Sequence, residues 1–288
     1  MEGAVKTFVM ESGERYCLLI DKNNGLPLFY PNLFLTTQVR NRSLSYSSME
    51  SALSGISVLM RFMKERNEII EDRFRSGDFF NINELDAIRD FCQIRFKSSL
   101  TESDNGMFTL FELREYDDKV SAQTEYVRLT IIAQYTKWLA EQFNNNNRLT
   151  KLQITEMEKG LKTRRPVRKN RNLEFIDKGL DKEQINLLFE VLRPASELNP
   201  FIDESVRVRN RLIFMVLFHL GVRGGELLNI RIRDFDFGVN QLVIARRADD
   251  VDDPRTKQPL VKTLDRRLPM KDTLANEIHR YILNDRKK

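Results

Sequence analysis

The spacing of apolar residues changes along the chain and predicts a short β region followed by helices. Over residues 16–30, two short apolar runs flank a polar turn cluster, and the pair Asn24-Gly25 predicts a tight hairpin between them. From residue 45 the apolar spacing is that of amphipathic helices. This pattern ends at an asparagine run, 144–147, which is typical of a linker. We therefore expect a strand pair and then an all-helical unit over 45–145.

Three helices are expected in this unit. The first is capped by Ser47 or Ser48 and the second, over 82–96, by Asn83. The third contains the only tryptophan, Trp138, whose neighbours at helical spacing are apolar. Trp138 is therefore expected in the core rather than on a binding surface. The apolar face of the first helix is formed by Leu53, Ile56, Leu59, Met60 and Met63.

A basic segment over 148–178 follows the helical unit. Lysines and arginines crowd around Pro166 with few acids between them, and residues 164–169, which have little to bury, are expected to be extended. Such a segment could track a phosphate backbone, because each bound cation displaces condensed counterions. A merely solvated linker is the alternative interpretation. The candidate DNA-binding residues are Lys162, Arg164, Arg165, Arg168, Lys169 and Arg171.

A second domain is expected from residue 179. Its first helix starts at a capping box formed by Asp181 and Gln184. The apolar run 212–220 predicts a buried helix, and Gly221 would end it as a left-handed cap. Two strands, over 241–245 and 261–270, and a final helix capped by Asp272 or Thr273 are expected after this.

Composition narrows the class of protein. The 288 residues suffice for two domains, and a net charge of +5 with a pI of about 9.1 makes a polyanionic partner plausible. Cys17 and Cys92 have neither a pairing pattern nor metal-ligand spacing, which is typical of a reducing cytoplasm. No apolar run approaches the roughly 18 residues of a membrane span. Only two histidines are present, which argues against a zinc enzyme or a Ser-His-Asp hydrolase.

Arg223 and Lys262 are the strongest candidates for chemistry. Arg223 follows the glycine stop and precedes Glu226 by three residues, so its guanidinium, held by the carboxylate, could present two parallel donors to a phosphate. Lys262 lies in the second half of a predicted β-hairpin and could donate a proton to a leaving oxygen. An ordinary helix-terminal ion pair and a solvated lysine are the alternatives.

Together these segments resemble a known family. Residues 219–230, HLGVRGGELLNI, continuing to DFD at 234–236, resemble the first conserved box of the tyrosine recombinases, the phage-integrase family. Lys262-Thr263, followed by Arg267 and Pro269-Met270, resembles the family's β-hairpin lysine segment. The distance from lysine to proline is one residue shorter than in the family, so Lys257 and Arg255 are fallback candidates.

The resemblance implies a layout and a reaction. A helical, SAM-like core-binding domain over 45–147, a linker over 148–178 and an incomplete α+β catalytic domain over 179–288 would clamp double-stranded DNA, behind a β-hairpin region at 1–44. The resulting fold class is mainly α with a small β component. Enzymes of this family recombine DNA of mobile genetic elements through a phosphotyrosine link, as tetramers on DNA, without metal or other cofactors. By this resemblance Arg223 stabilises the phosphate, Glu226 supports Arg223, and Lys262 is the general acid.

The sequence also departs from the family. The second box, His-x-x-Arg, is absent, since neither His219 nor His279 has an arginine three residues later. Tyr281 lies on the helix that precedes this box in the family, so we expect a core aromatic and not the nucleophile. The chain is therefore expected to be a fragment or a short relative that binds DNA without cleaving it. A non-catalytic DNA-binding regulator or recombination accessory protein, and a helical interaction scaffold, remain as alternatives.

Overall fold

Two units, each mainly helical, make up the chain in the computed structural model. The structure describes residues 3–42, 45–96, 99–102, 108–111, 114–144, 147–167, 179–259 and 264–286, with the backbone alone within 99–118. The first unit comprises residues 1–10 and 15–173, and the second comprises residues 11–14 and 174–288. Helices predominate and the described strand pairs are antiparallel, which confirms the predicted mainly α fold with a small β component.

The first unit begins with a hairpin whose pairing differs from the prediction. Strand β1 (Gly3–Val9) pairs antiparallel with β2 (Arg15–Asp21), and helix α1 (Phe29–Phe34) follows, continued by helical turns to residue 42. The predicted turn at Asn24-Gly25 does return the chain, because Leu28 N donates to Leu19 O at 2.9 Å. The predicted second arm forms only an isolated bridge at Pro27, which lacks an N–H, before the chain becomes helical.

Among the described residues, the body of the first unit is formed by the helices α2 (Tyr46–Glu65), α3 (Ile70–Arg75), α4 (Ile82–Cys92), α5 (Ala122–Phe143) and α6 (Arg148–Thr163). The predicted apolar face of α2 is buried, and Trp138 of α5 lies in the core as expected. The caps differ from the prediction by a few residues. Ser45 precedes α2, and Asn81 forms a capping box with Glu84 at the start of α4.

The prediction of an all-helical unit over 45–145 is wrong. Strand β3 (Ile94–Phe96) pairs with β6 (Arg114–Lys119), and β4 (Ser99–Glu102) pairs with β5 (Phe108–Phe111). The segment that forms β5 reads Phe-Thr-Leu-Phe, and its aromatic and β-branched residues favour a strand. The polar loop that joins β4 to β5 in the sequence obscured this hairpin in the hydrophobic pattern.

The segment predicted as a linker begins with a helix of the first unit. Ile154, Met157 and Leu161 of α6 follow helical spacing and are buried in the same core as α2–α5. The hairpin region at 1–44 also shares this core, through Tyr16, Leu19 and other residues. The predicted boundaries at 44 and 147 therefore do not separate independent cores in the structure. Residues 168–178 of the predicted linker lie outside the described residues.

The second unit packs helices against a three-stranded sheet. Its helices are α7 (Lys182–Val191), α8 (Glu204–Leu220), α9 (Gly224–Leu227) and α10 (Asp272–Arg280), and its strands are β7 (Phe235–Asp236), β8 (Gln241–Ile244) and β9 (Arg266–Pro269). The strand order is β7-β8-β9. Its core combines Met215 and Val216 of α8, Leu242 of β8, and Leu274 and Ile278 of α10.

The helix starts of the second unit agree with the sequence signals only in part. The predicted capping box of Asp181 and Gln184 starts α7. Asp203 caps α8. The predicted cap of α10, Asp272 or Thr273, is wrong, because Lys271 occupies the cap position without a side-chain cap hydrogen bond and Asp272 already begins the helix. None of the described helices combines the length and the apolar composition that crossing a membrane requires.

Candidate anion-binding site

The turn from α8 into α9 determines where Arg223 lies. Gly221 ends α8 in the left-handed conformation, with φ of 60°, as its sequence position predicts. Arg223 is then extended and occupies the position before the first turn of α9. Its backbone N–H donates to Oε2 of Glu226 at 2.9 Å, so the carboxylate satisfies an amide that the helix start leaves open. The local backbone thus brings the two motif residues together.

The Arg223 side chain faces solvent while its carboxylate partner is buried. The exposed fraction is 63% for the Arg223 side chain and 1% for that of Glu226. One contact joins the two charged groups, from Nη1 of Arg223 to Oε1 of Glu226 at 3.4 Å. The contact predicted from the spacing is therefore present. The buried carboxylate thus orients a guanidinium that faces solvent, where it is accessible to a phosphate group.

Arg266 is a third member of this site, which sequence analysis did not identify. It donates from Nη2 to Oε2 of Glu226 at 2.7 Å and from Nη1 to Oε1 at 3.0 Å. These hydrogen bonds raise the pKa of Arg266 above its ordinary value. Arg266 pairs with Ile244 across the sheet, on the same face as Leu268. The alternation of β9 thus provided a signal, since it places Arg266 on the core-facing side.

The loop after β8 is tied to the segment that follows α9. Arg247 donates from Nη1 to both Asn229 O and Asp234 Oδ2, each at 3.0 Å. Asp234, the first aspartate of the DFD motif, is buried and also accepts from the backbone N–H of Arg231 at 2.8 Å. The side-chain amide of Asn229 donates to Gly225 O at 2.9 Å and to Pro259 O. The motif's aspartate therefore has a structural role here.

The candidate lysine, Lys262, lies outside the described residues. Of the fallback candidates, Lys257 is exposed. Arg255 instead donates from Nη2 to Oδ2 of Asp253 at 2.6 Å, and this hydrogen bond raises its pKa. Arg255 therefore belongs to a structural ion pair.

The described members of the predicted DNA-binding set contact the first unit itself. Arg164 donates from Nε to Oδ1 of Asp86 at 2.7 Å, and Lys162 forms an ion pair with Glu158. Arg165 donates from Nε to the Lys162 carbonyl at 2.9 Å and lies over the Tyr126 ring at 4.8 Å. Arg164 ends α6 in a helical conformation, so the prediction of an extended segment is wrong at this residue. Arg168, Lys169 and Arg171 lie outside the described residues.

Tyr281, His219 and His279 are the other residues that the sequence analysis considered for a catalytic role, and all three belong to the second unit. Tyr281 is half-buried, packs against the core and lines a cavity of about 600 Å³. The ring centroids of His219 and Phe218 are 5.1 Å apart, and those of His279 and Phe237 are 4.8 Å apart. Within the described ranges, no group of three or more histidine, cysteine, aspartate or glutamate residues could hold a metal ion.

Comparison of the chain with protein-family models, curated proteins and solved structures found no match. The family resemblance therefore stays a hypothesis that depends on the residues of the motif and on their geometry.

Proposed function

We propose that this chain binds phosphodiester groups of double-stranded DNA through Arg223 and is related to the tyrosine recombinases. One observation carries the proposal: a solvent-facing guanidinium is anchored on a buried carboxylate, directly after a left-handed glycine cap. Arginine binds phosphate well because its planar fork offers two parallel donors. The segment that builds this geometry, residues 219–230, is the one that resembles the family's first box.

The proposed assignment of domains follows from the same resemblance. The first unit would be the SAM-like core-binding domain, and the second would correspond to the region of the catalytic domain that carries the first box. The net charge of +5 supports a polyanionic partner. Lys162 and Arg164 form ion pairs within the first unit. We therefore assign the phosphate contact to Arg223 rather than to these two residues.

In tyrosine recombinases a tyrosine oxygen attacks the scissile phosphorus and the 5′-oxygen of the DNA departs with a proton. Arg223 would neutralise the phosphate oxygens in this step, and Glu226 would orient Arg223. Lys262 would be the proton donor. The sequence of this chain contains no His-x-x-Arg box, so the proposed activity of this polypeptide alone is DNA binding without strand cleavage.

The salt dependence of DNA affinity tests this proposal. The logarithm of the binding constant for a duplex should fall linearly with the logarithm of salt concentration. Arg223→Ala should reduce the slope by about 0.9, since one phosphate contact is lost. Arg280, an exposed arginine on α10, provides the matched control, and Arg280→Ala should leave the slope unchanged. Equal slopes for the wild-type protein and Arg223→Ala would refute the proposed site.

A nicked duplex that traps covalent intermediates tests the second part of the proposal. We expect bound DNA without a covalent protein adduct. An adduct that maps to Tyr281 would show that this polypeptide cleaves DNA and that Tyr281 is not simply a core aromatic. A non-catalytic regulator is the second candidate function, favoured by the missing His-x-x-Arg box. It predicts that Arg223→Ala, introduced into an active recombinase that carries this segment, leaves recombination unchanged.

A further inference from the structure

Glu226 contacts two guanidinium groups, and the two contacts are unequal. Arg266 makes a bidentate pair with both carboxylate oxygens, at 2.7 and 3.0 Å. Arg223 makes one side-chain contact, at 3.4 Å. The exposed fraction of the side chain is 32% for Arg266 and 63% for Arg223. The buried carboxylate is therefore compensated mainly by the arginine that is less exposed.

This inequality matters because a buried charge needs a partner at all times. Removing one partner of a buried ion pair leaves an uncompensated charge and is strongly unfavourable. If Arg223 were the principal counter-ion of Glu226, each movement of Arg223 towards a ligand would leave the buried charge of the carboxylate uncompensated. With Arg266 in place, Arg223 can exchange its single contact for a ligand while Glu226 stays paired.

We propose that Arg266 is a positioning residue: it is the permanent counter-ion of Glu226 and so leaves Arg223 available for an anionic ligand. The inference rests on the proposed function in taking a DNA phosphate as that ligand. It assigns different roles to two arginines that share one carboxylate. Arg223 contacts the ligand, whereas Arg266 acts through Glu226.

The backbone around each arginine fits these roles. Arg266 lies in β9, where its pairing with Ile244 of β8 fixes the direction of the side chain. Both of its terminal nitrogens are directed at the carboxylate. Arg223 precedes the first turn of α9 and extends into solvent. A bidentate arginine–carboxylate pair is geometrically specific, so Arg266 also keeps Glu226 in the orientation that contacts Arg223.

Four variants test this assignment: Arg223→Gln, Arg266→Gln, the double variant Glu226→Gln with Arg266→Gln, and Arg267→Gln. Arg267 is the matched control, because it is exposed, is adjacent on β9 and points to the opposite face of the sheet. The affinity for a short DNA duplex is measured at one salt concentration, and thermal unfolding of each variant confirms that it is folded.

Arg266→Gln should weaken DNA binding about tenfold, as Arg223→Gln does, because Arg223 then becomes the counter-ion of Glu226. The double variant should bind DNA more tightly than Arg266→Gln but more weakly than the wild-type protein, since removal of the carboxylate charge releases Arg223 but also removes the group that orients it. It also avoids a stranded buried charge, so it remains informative if Arg266→Gln alone does not fold. Arg267→Gln should retain affinity within about threefold.

The outcomes separate this inference from the proposed function. If Arg223→Gln leaves affinity unchanged, the proposed phosphate site is wrong. If Arg223→Gln weakens binding but folded Arg266→Gln does not, the phosphate site stands and the counter-ion role is wrong. If the double variant binds as weakly as Arg266→Gln, Arg266 does not act through Glu226. An equal loss for Arg267→Gln would mean that general charge explains the effect, and this too would overturn the inference.

Discussion

Arg164 and Asp86 lie 78 residues apart in the sequence, and their side chains join the end of α6 to α4 through a hydrogen bond from Nε to Oδ1 at 2.7 Å. The same guanidinium donates to the carbonyl oxygens of Gly160 at 3.0 Å and Ile82 at 3.3 Å. A residue whose position in a basic run predicts DNA contact is thus part of the packing of the first unit. Its half-buried side chain links the end of one helix to the beginning of another.

Arg164→Ala should therefore lower the stability of the first unit. The substitution removes three hydrogen bonds and the aliphatic part of a largely buried side chain. We expect the melting temperature to fall by roughly 2–4 °C, measured by circular dichroism. Lys159→Ala is the control, because Lys159 is an exposed residue of the same helix, and it should change the melting temperature by less than about 1 °C. Equal shifts in the two variants would contradict the structural role of Arg164.

Glu84 should make the stability of the first unit sensitive to acid. Its carboxylate accepts from both terminal nitrogens of Arg73, at 2.6 and 2.7 Å, and from the backbone N–H of Asn81 at 2.9 Å. Burial alone would raise the pKa of Glu84, but these hydrogen bonds hold it below its ordinary value of 4.5. The carboxylate contributes to stability above the unfolded-state pKa, and this contribution is lost as pH falls through the lower folded-state pKa.

Glu84→Gln tests this dependence. At pH 7 the substitution should reduce the free energy of unfolding by about 2 kcal/mol, because Arg73 loses its bidentate buried partner and keeps the more exposed Glu68 and Asp78. The difference between the wild-type protein and the variant should shrink as pH falls below about 4.5. Urea unfolding at pH 7, 5 and 3.5 measures this. A difference that stays constant over the three pH values would rule out ionised Glu84 as its source.

The sequence predicts those features of this fold that depend on neighbouring residues. Gly221 as a left-handed cap, the capping box at Asp181 and the contact of Arg223 with Glu226 all depend on residues within one helical turn, and all are present. The role of Arg266 was missed because its partner lies 40 residues earlier, and the hydrophobic pattern carries no information about such a pair.

Helix α6 was missed for a different physical reason. Its buried face consists of only three apolar residues, Ile154, Met157 and Leu161, in a segment rich in lysine and arginine. Composition therefore dominated the pattern and predicted a basic interdomain linker. The core that buries these three residues is supplied by helices far away in the sequence, which a local window does not include.

Gly221 should be required for its backbone conformation rather than for its small size. A Cβ atom at this position would meet no atom within 4 Å, whereas φ of 60° is unfavourable for residues with a side chain. Gly221→Ala should therefore cost about 1 kcal/mol in the free energy of unfolding, and Gly221→Asn should cost less, because asparagine tolerates this conformation. Urea unfolding compares the two variants. An equal cost for asparagine and alanine would contradict a purely conformational requirement.

Asn229 should hold the loop after β8 against the segment that follows α9. Its buried amide donates to Gly225 O and Pro259 O, which lie on the two sides of this contact. In Asn229→Ala both carbonyl groups lose their partner, so opening of the loop becomes easier. We expect trypsin to cleave after the exposed Lys257 several times faster in this variant than in the wild-type protein.

Asn276 on α10 provides the control for this experiment, because it is an exposed asparagine of the same unit. Asn276→Ala should leave cleavage after Lys257 at the wild-type rate. The reaction is followed by mass spectrometry of early fragments under native conditions, so that local opening is distinguished from global unfolding. If Asn229→Ala and the wild-type protein are cleaved after Lys257 at the same rate, the contact between Asn229 and Pro259 does not restrain the loop.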